Sequence, residues 1–257
     1  MSAFNSSLAS KVKVFLNAVM KQKNLFSAIA FGLALSSKWS ALWAIPILGL
    51  LNLRKENKFE KGLLWFIVLV PAVYLAIYVP FFLSGHGWST FIELQKQMWW
   101  YHTRLKATHP YTSTWWEWPF LVRPIYLYTS GYAKGVVANI YAMGNPAVFW
   151  GGLAAVVWGI YYAYINKIKS LGMVIFSYLV FFVPWALSPR IMFLYHYLPS
   201  IPFLAIAMGF FLKKTPKAII PFFLVAGVLL IYFFPHWTGI TIPQGVDKSY
   251  YWFPSWR

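Results

Sequence analysis

The 257-residue chain is 60% hydrophobic and 21% aromatic but only 11% charged, less than half the roughly 25% of charged residues in an ordinary soluble domain. Such a chain cannot cover a globular surface in water, so soluble classes are excluded and no room remains for a second soluble domain. Lysine and arginine number 22 against 5 acidic residues, a formal net charge of +17. These bases sit mostly in breaks between apolar blocks, which is a pattern of membrane topology and not of a nucleic-acid partner. Cysteine is absent, which removes disulfides and thiolate chemistry.

Taken in chain order, residues 1–24 lack the apolar core and cleavage site of a signal peptide. Val12, Phe15, Leu16 and Val19 fall on one face of a basic amphipathic segment expected at the cytoplasmic surface. Apolar segments follow at 25–37, 39–53, 62–83, 145–165, 171–187, 191–212 and 217–234. They predict an all-α integral membrane protein, a polytopic helical bundle of about seven spans with the first two short. Basic clusters at Lys11 to Lys23, Arg54 to Lys61, Lys167 with Lys169, and Lys213 to Lys217 are placed inside by the positive-inside rule. The stretch 25–53 must then cross an even number of times, although each half reaches only about 20 Å as helix against a hydrocarbon core of about 30 Å. A short broken hairpin with Ser36, Ser37, Lys38 and Trp39 at its tip satisfies both, and one long tilted helix with Lys38 snorkelling is the alternative.

The expected organisation is therefore a cytoplasmic segment 1–24, N-terminal spans 25–83, an external aromatic-rich loop 84–144, a C-terminal four-span module 145–234 and an external tail 235–257. The loop opens with Phe91, Leu94, Met98, Trp99, His102 and Leu105 at helical spacing, while Glu93, Lys96, Arg104 and Lys106 lie off that stripe. An amphipathic helix lying on the outer leaflet is predicted. The segment from Gly131 to Gly135 reads as a flexible connector.

No phosphate-binding glycine loop, zinc motif or nucleophile elbow occurs, and the five histidines show no metal-ligand spacing. The run from His109 to Pro124 is the densest in polar and aromatic residues. It contains His109, Tyr111, Trp116, Trp118 and Arg123, with Glu117 between tryptophans. An interfacial aromatic belt would account for each residue singly. Together, indole faces suit sugar C–H surfaces and a guanidinium fork suits a phosphate, so the group suits a sugar on a phospholipid carrier. A second run, Ser188 to Pro202, holds Arg190 on an outer turn and Tyr195 and His196 one to two turns beyond. Arg190 reads either as a snorkelling end-cap or as a phosphate ligand; His196 reads either as a buried structural imidazole or as one facing a cavity. Arg123, Arg190 and Lys38 are thus the candidate donor-phosphate ligands. His109, Tyr111, Trp116, Trp118, Tyr195 and His196 are the candidates for sugar or acceptor.

These residues resemble a known family. Gly32 to Ser40, Gln97 to His102, His109-Pro110-Tyr111, Trp118-Pro119, Arg123-Pro124, Gly144-Asn145-Pro146, the Arg190 to Pro202 run and the ending Trp252 to Trp256 are similar, in order, to bacterial dolichyl-phosphate-mannose–protein mannosyltransferases. The resemblance covers about residues 25–257 and includes that family's C-terminal four-helix module. It implies a GT-C-type multi-pass enzyme of the bacterial plasma membrane that takes mannose from polyprenyl-phosphate-mannose and places it on Ser or Thr of exported proteins, with inversion and no cofactor. Residues 84–144 are too short for the soluble insert of the eukaryotic branch. The family's acidic pair in its first external loop has no counterpart here. Glu117 is the weak candidate for a base, while Glu93 and Asp247 read as solvated charges. The chain is therefore expected to be a C-terminal portion, inactive alone and lacking an N-terminal half. A relative using another lipid-linked sugar or acceptor, or a noncatalytic scaffold or transporter, are the alternatives.

Overall fold

The computed structural model describes residues 25–53, 62–130 and 135–257; the expected amphipathic segment 1–24, the basic break 54–61 and most of the 131–135 connector lie outside the described residues. The chain divides into two compact units, 1–97 and 98–257.

In the first unit, helix α1 (Leu25–Ser37) stops at Lys38, a single extended residue with φ −160° and ψ 127°. A 3₁₀ turn (Trp39–Ala44) then leads into α2 (Ile45–Leu53). The break expected at Lys38 is therefore present, and the oxygens of Ser36 and Ser37 turn back onto the carbonyls of Gly32 and Leu33. Helix α3 (Gly62–Ile77) is crossed by α1 at Gly32, where a Cβ would stand 2.8 Å from Val73 Cβ. The apolar block 62–83 is not one helix. It divides at Tyr78 into α3 and α4 (Val79–Leu83), because Pro80 at the start of α4 supplies no N–H to continue the ladder. The amphipathic helix α5 (Trp88–Arg104) follows. Its inward residue is Phe91, whereas Trp99, assigned above to the same stripe, is 62% exposed.

Among the described residues, four helices, all in the second unit, are long and apolar enough to span a bilayer: Pro146–Ile165, Lys169–Leu187, Leu194–Lys214 and Pro216–Thr238. At 1.5 Å per residue they measure roughly 28–35 Å, the thickness of a hydrocarbon core. Their regular α-helical parts are α6 (Pro146–Ile165), α7 (Lys169–Phe182), α8 (Ile201–Lys214) and α9 (Ile219–Thr238), with 3₁₀ turns completing the C-terminal end of α7 and the N-terminal end of α8. Small residues let α6 approach its neighbours, as in many membrane bundles. A Cβ on Gly152 would come within 1.9 Å of Leu204 on α8, and one on Gly159 within 3.0 Å of Ile175 on α7. The run Gly144-Asn145-Pro146 has a local reason. A Cβ on Gly144 would enter the Phe149 ring, Asn145 accepts from the Ala147 N–H and donates to Ala226 O, and Pro146 occupies the first turn.

The loop and the tail fold onto the end of this module where α6 begins and α9 ends. Strand β1 (Ile125–Thr129) pairs antiparallel with β3 (Asn139–Ala142), with a bulge between Tyr126 and Tyr128. The short β2 (Val136–Val137) pairs with β4 (Ile242–Pro243), tying loop to tail. These two small sheets were not expected, since two to five residues each leave no legible alternation. The tail also begins later than expected: α9 runs through Pro235 and ends at Gly239, whose φ of +72° lets the chain turn back.

Candidate functional site

The 3₁₀ turn Trp115–Phe120 is capped by Thr114, whose N–H and hydroxyl both donate to Glu117 Oε2 at 2.5 and 2.6 Å. Glu117, the weak candidate for a base, is therefore engaged as a capping residue of this turn. Trp118 points inward, 1% exposed, and donates its indole N–H to Ser113 Oγ. The turn ends at Leu121 with φ +55°, a left-handed residue that costs an ordinary side chain about 1 kcal/mol. Two tail groups hold this turn in place: Trp256 donates its indole N–H to Leu121 O at 2.6 Å, and Ser255 Oγ donates to Val122 O. Arg123 is the next residue. Its guanidinium lies 6.0 Å from the Tyr111 ring centroid, and its buried Nε finds no hydrogen-bond partner among the described residues. An apolar cavity of about 570 Å³ opens on the same segment, lined by Phe120, Val122, Trp150, Phe253, Pro254 and Ser255.

The second run is joined to the first through Met192, whose carbonyl accepts from Ser113 N at 3.0 Å and Thr112 Oγ1 at 3.2 Å. Arg190 lies two residues before it. Its Nη2 is 2.6 Å from His196 Nε2 and its Nη1 is 3.1 Å from His102 Nδ1. The Tyr101 ring sits 5.1 Å from its guanidinium carbon, and Arg190 Nε is buried without a partner among the described residues. His196 is 0% exposed and lies between rings, stacked with Trp118 at 5.9 Å and with Tyr195 at 4.4 Å. His109 is exposed, accepts from Tyr111 N through Nδ1 and meets Phe193 edge-on.

Of the residues read from the sequence, the structure groups Arg190, His196, Trp118 and Tyr195 closely, with His109, Tyr111 and Arg123 linked to them through Phe193 and Tyr111. Burial changes the reading of two. Trp118 and His196 offer no face to a sugar and instead support Arg190 and its ring stack. Trp116 and Tyr195 remain 54% and 41% exposed. Lys38 belongs to the first unit, half-buried at the break after α1.

Asp247 overturns an expectation. It is no solvated tail charge: Oδ1 accepts from Asn139 Nδ2 at 2.9 Å and pairs with His236 Nε2 at 3.0 Å, while Oδ2 accepts from the Tyr251 hydroxyl at 3.1 Å. Its side chain is 13% exposed, and His236 is stacked between Tyr141 and Tyr250. Burial, with neighbouring Asp247, pushes the Tyr251 phenol up to about 12, so it stays a donor at any physiological pH. Burial, and the hydrogen bond that Tyr141 donates to the Tyr251 hydroxyl, raise the Tyr141 phenol. His102 as an Arg190 partner and the whole Asp247 cluster were missed. The partners are 88 and 108 residues apart, and only the Gly239 turn followed by Pro243 hinted that the tail doubles back.

The family model that matches is described as the C-terminal four-transmembrane region of protein O-mannosyltransferase, over residues 87–256. The polyprenol-phosphate-mannose–protein mannosyltransferase of Corynebacterium glutamicum is 24% identical over 90% of this chain and 57% of its own length, and that of Mycolicibacterium smegmatis matches to the same extent. The chain thus spans a little over half the length of these relatives. Dolichyl-phosphate-mannose–protein mannosyltransferase 1 of Saccharomyces cerevisiae is 28% identical over 65% of this chain and 24% of its own. The solved S. cerevisiae protein O-mannosyltransferase Pmt1-Pmt2 complex bound to the sugar donor has a similar fold, with TM-score 0.54 and 23% identity over 67% of this chain and 27% of that one. With its four apolar spans and the matched region covering most of its length, the chain is a multi-pass membrane protein that belongs to the protein O-mannosyltransferase family.

Proposed function

We propose that this chain grips the lipid-phosphate donor in a membrane glycosyltransferase that moves mannose from polyprenyl-phosphate-mannose to Ser or Thr hydroxyls of exported proteins, in the plasma membrane of a bacterial cell. Arg190 carries the reading. It is a guanidinium near the end of the spans, held by two imidazoles and an aromatic face, and no carboxylate among the described residues pairs with it. Arginine presents five N–H donors and no acceptor, and a phosphate diester offers the matching oxygens in pairs. Arg123 supplies a second cation from a turn fixed by the tail, and the cavity beside it has room for apolar chain. Exposed Tyr101, Trp116 and Tyr195 supply ring faces for a sugar.

No described acid is placed as the base that takes the acceptor hydroxyl's proton. Glu117 caps a turn, Asp247 is engaged by three donors, and Glu93 lies 60% exposed beside Lys96. The base is assigned to polypeptide beyond these residues, and loss of such a group typically lowers rate about 10²–10⁴-fold. Binding of polyprenyl-phosphate-mannose to the chain in nanodiscs, with neutral polyprenol as the control, tests the reading. Phosphate-dependent binding lost in Arg190→Gln supports it, and equal binding of the neutral lipid overturns it. Transfer to a Ser/Thr peptide by the chain alone, abolished in Glu117→Gln, would show the assignment of the base to be wrong.

A further inference from the structure

We propose that His102 and His196 are positioning residues that orient the Arg190 guanidinium by presenting it with two neutral imidazole lone pairs. This rests on the reading of Arg190 as a phosphate ligand and adds to it the device that aims the arginine. Arginine has no acceptor atom. An imidazole nitrogen 2.6 or 3.1 Å from its Nη atoms must therefore accept, at His196 Nε2 and at His102 Nδ1. With Nε2 accepting, the single proton of a neutral His196 lies on Nδ1, which donates to Phe193 O at 2.9 Å, and the Phe193 N–H, 3.1 Å from the same nitrogen, then meets no lone pair there. Both rings are neutral in this arrangement, because a second proton would set N–H against N–H.

Neutral holders differ in kind from the carboxylate that usually holds an arginine. An Asp or Glu would satisfy the same fork, but it would also cancel the charge that attracts a phosphate. Two imidazoles fix the plane and leave the full positive charge. They engage one N–H of each Nη, so among the described residues the second N–H on each and the Nε–H have no hydrogen-bond acceptor and can serve an anion. Buried Nε without a partner among the described residues fits that vacancy of function. The holders are themselves held. His196 lies within the Trp118 and Tyr195 stack, and His102, in the part of α5 that belongs to the second unit, meets Arg190 from the last helical turn.

The test is polyprenyl phosphate binding to the full chain in nanodiscs, with unfolding temperature measured on each variant. His102→Ala is expected to weaken binding about tenfold, the scale of one charge-assisted hydrogen bond. His102→Asn, whose Oδ1 can stand where Nδ1 stood, is expected to recover affinity to within about threefold on the same scale, and His196→Gln tests the other holder by its Oε1. If Arg190→Gln weakens binding while His102→Ala and His196→Ala do not, the positioning role is overturned and the phosphate reading stands. Should Arg190→Gln bind as the parent does, the phosphate reading itself fails. Equal loss in His102→Ala and His102→Asn would show that the imidazole acts through its shape and not its lone pair, which also overturns the proposal.

Discussion

Around Asp247 one anion meets three donors, whereas around Arg190 one cation with five donors meets two acceptors. Both clusters lie in the second unit, on the loop, tail and helix ends that cap the four spans, and both are walled by aromatic rings. The difference lies in what remains unmatched. A carboxylate given three hydrogen bonds, one of them from an imidazole stacked between two rings, is close to saturated, so its cluster serves as a fastening between β3, α9 and the tail. An arginine with donors unused among the described residues and with undiminished charge is unsaturated, and leaving it so costs stability unless a ligand completes it. A saturated cluster predicts loss of stability on mutation; an unsaturated one predicts loss of binding.

The largest effect is expected at the saturated cluster. Asp247→Ala leaves Asn139, His236 and the Tyr251 hydroxyl without their shared acceptor, and should cost about 3 kcal/mol of stability, the range for breaking a buried pair. A thermal-unfolding series in detergent measures it, while polyprenyl phosphate affinity of the folded fraction should stay at the parental level. A variant as stable as the parent would remove the contrast.

At the unsaturated cluster the expectation is reversed. Arg190→Lys keeps the charge but loses the planar fork, so affinity for polyprenyl phosphate should fall about tenfold with the unfolding temperature nearly unchanged. Unchanged affinity would mean that charge alone suffices there, and the geometry of the two imidazoles would be irrelevant to binding.

How much of this was legible in the sequence depends on range. The four long spans were readable because an apolar run of about 20 residues bounded by lysines has few other uses, and α5 because its stripe is local. The break at Lys38 followed from span length and charge. Asp247 was misjudged because its partners Asn139 and His236 sit on other elements, and a lone acid in a polar tail looks solvated until the tail is seen to return. Trp118 was misjudged for the opposite reason: its neighbours Trp115 and Trp116 share its composition, and only the 3₁₀ turn, ended by left-handed Leu121, decides which indole points inward. Arg190 was identified as a candidate, but its orientation depends on His102, on a helix 88 residues away.

A smaller change sharpens the saturated side. Tyr251→Phe deletes one of the three donors to Asp247 and retains the ring beside Tyr141 and Arg257. About 1 kcal/mol of stability should be lost, additive with nothing at Arg190, and binding should be untouched. A change in affinity here would reveal coupling between the clusters through the Tyr111, Tyr126 and Tyr141 ring contacts.

The smallest effect separates the two remaining arginines. Arg123 and Arg104 carry the same charge, yet Arg123 follows a turn that Ser255 and Trp256 hold by two hydrogen bonds, packs its guanidinium near Tyr111 and buries Nε. Arg104 ends α5 with its side chain exposed. If Arg123 meets the same phosphate as Arg190, Arg123→Lys should weaken polyprenyl phosphate binding by about threefold, less than at Arg190 because a lysine can still reach as a point charge. Arg104→Lys should leave it unchanged, since an exposed charge in high dielectric contributes little that depends on its shape. Raising salt from low to physiological strength should then weaken binding in the parent and in both variants by the same factor, because charge is conserved in each. Equal affinities for the Arg123→Lys and Arg104→Lys variants would reduce Arg123 to an interfacial anchor and leave Arg190 to hold the phosphate by itself.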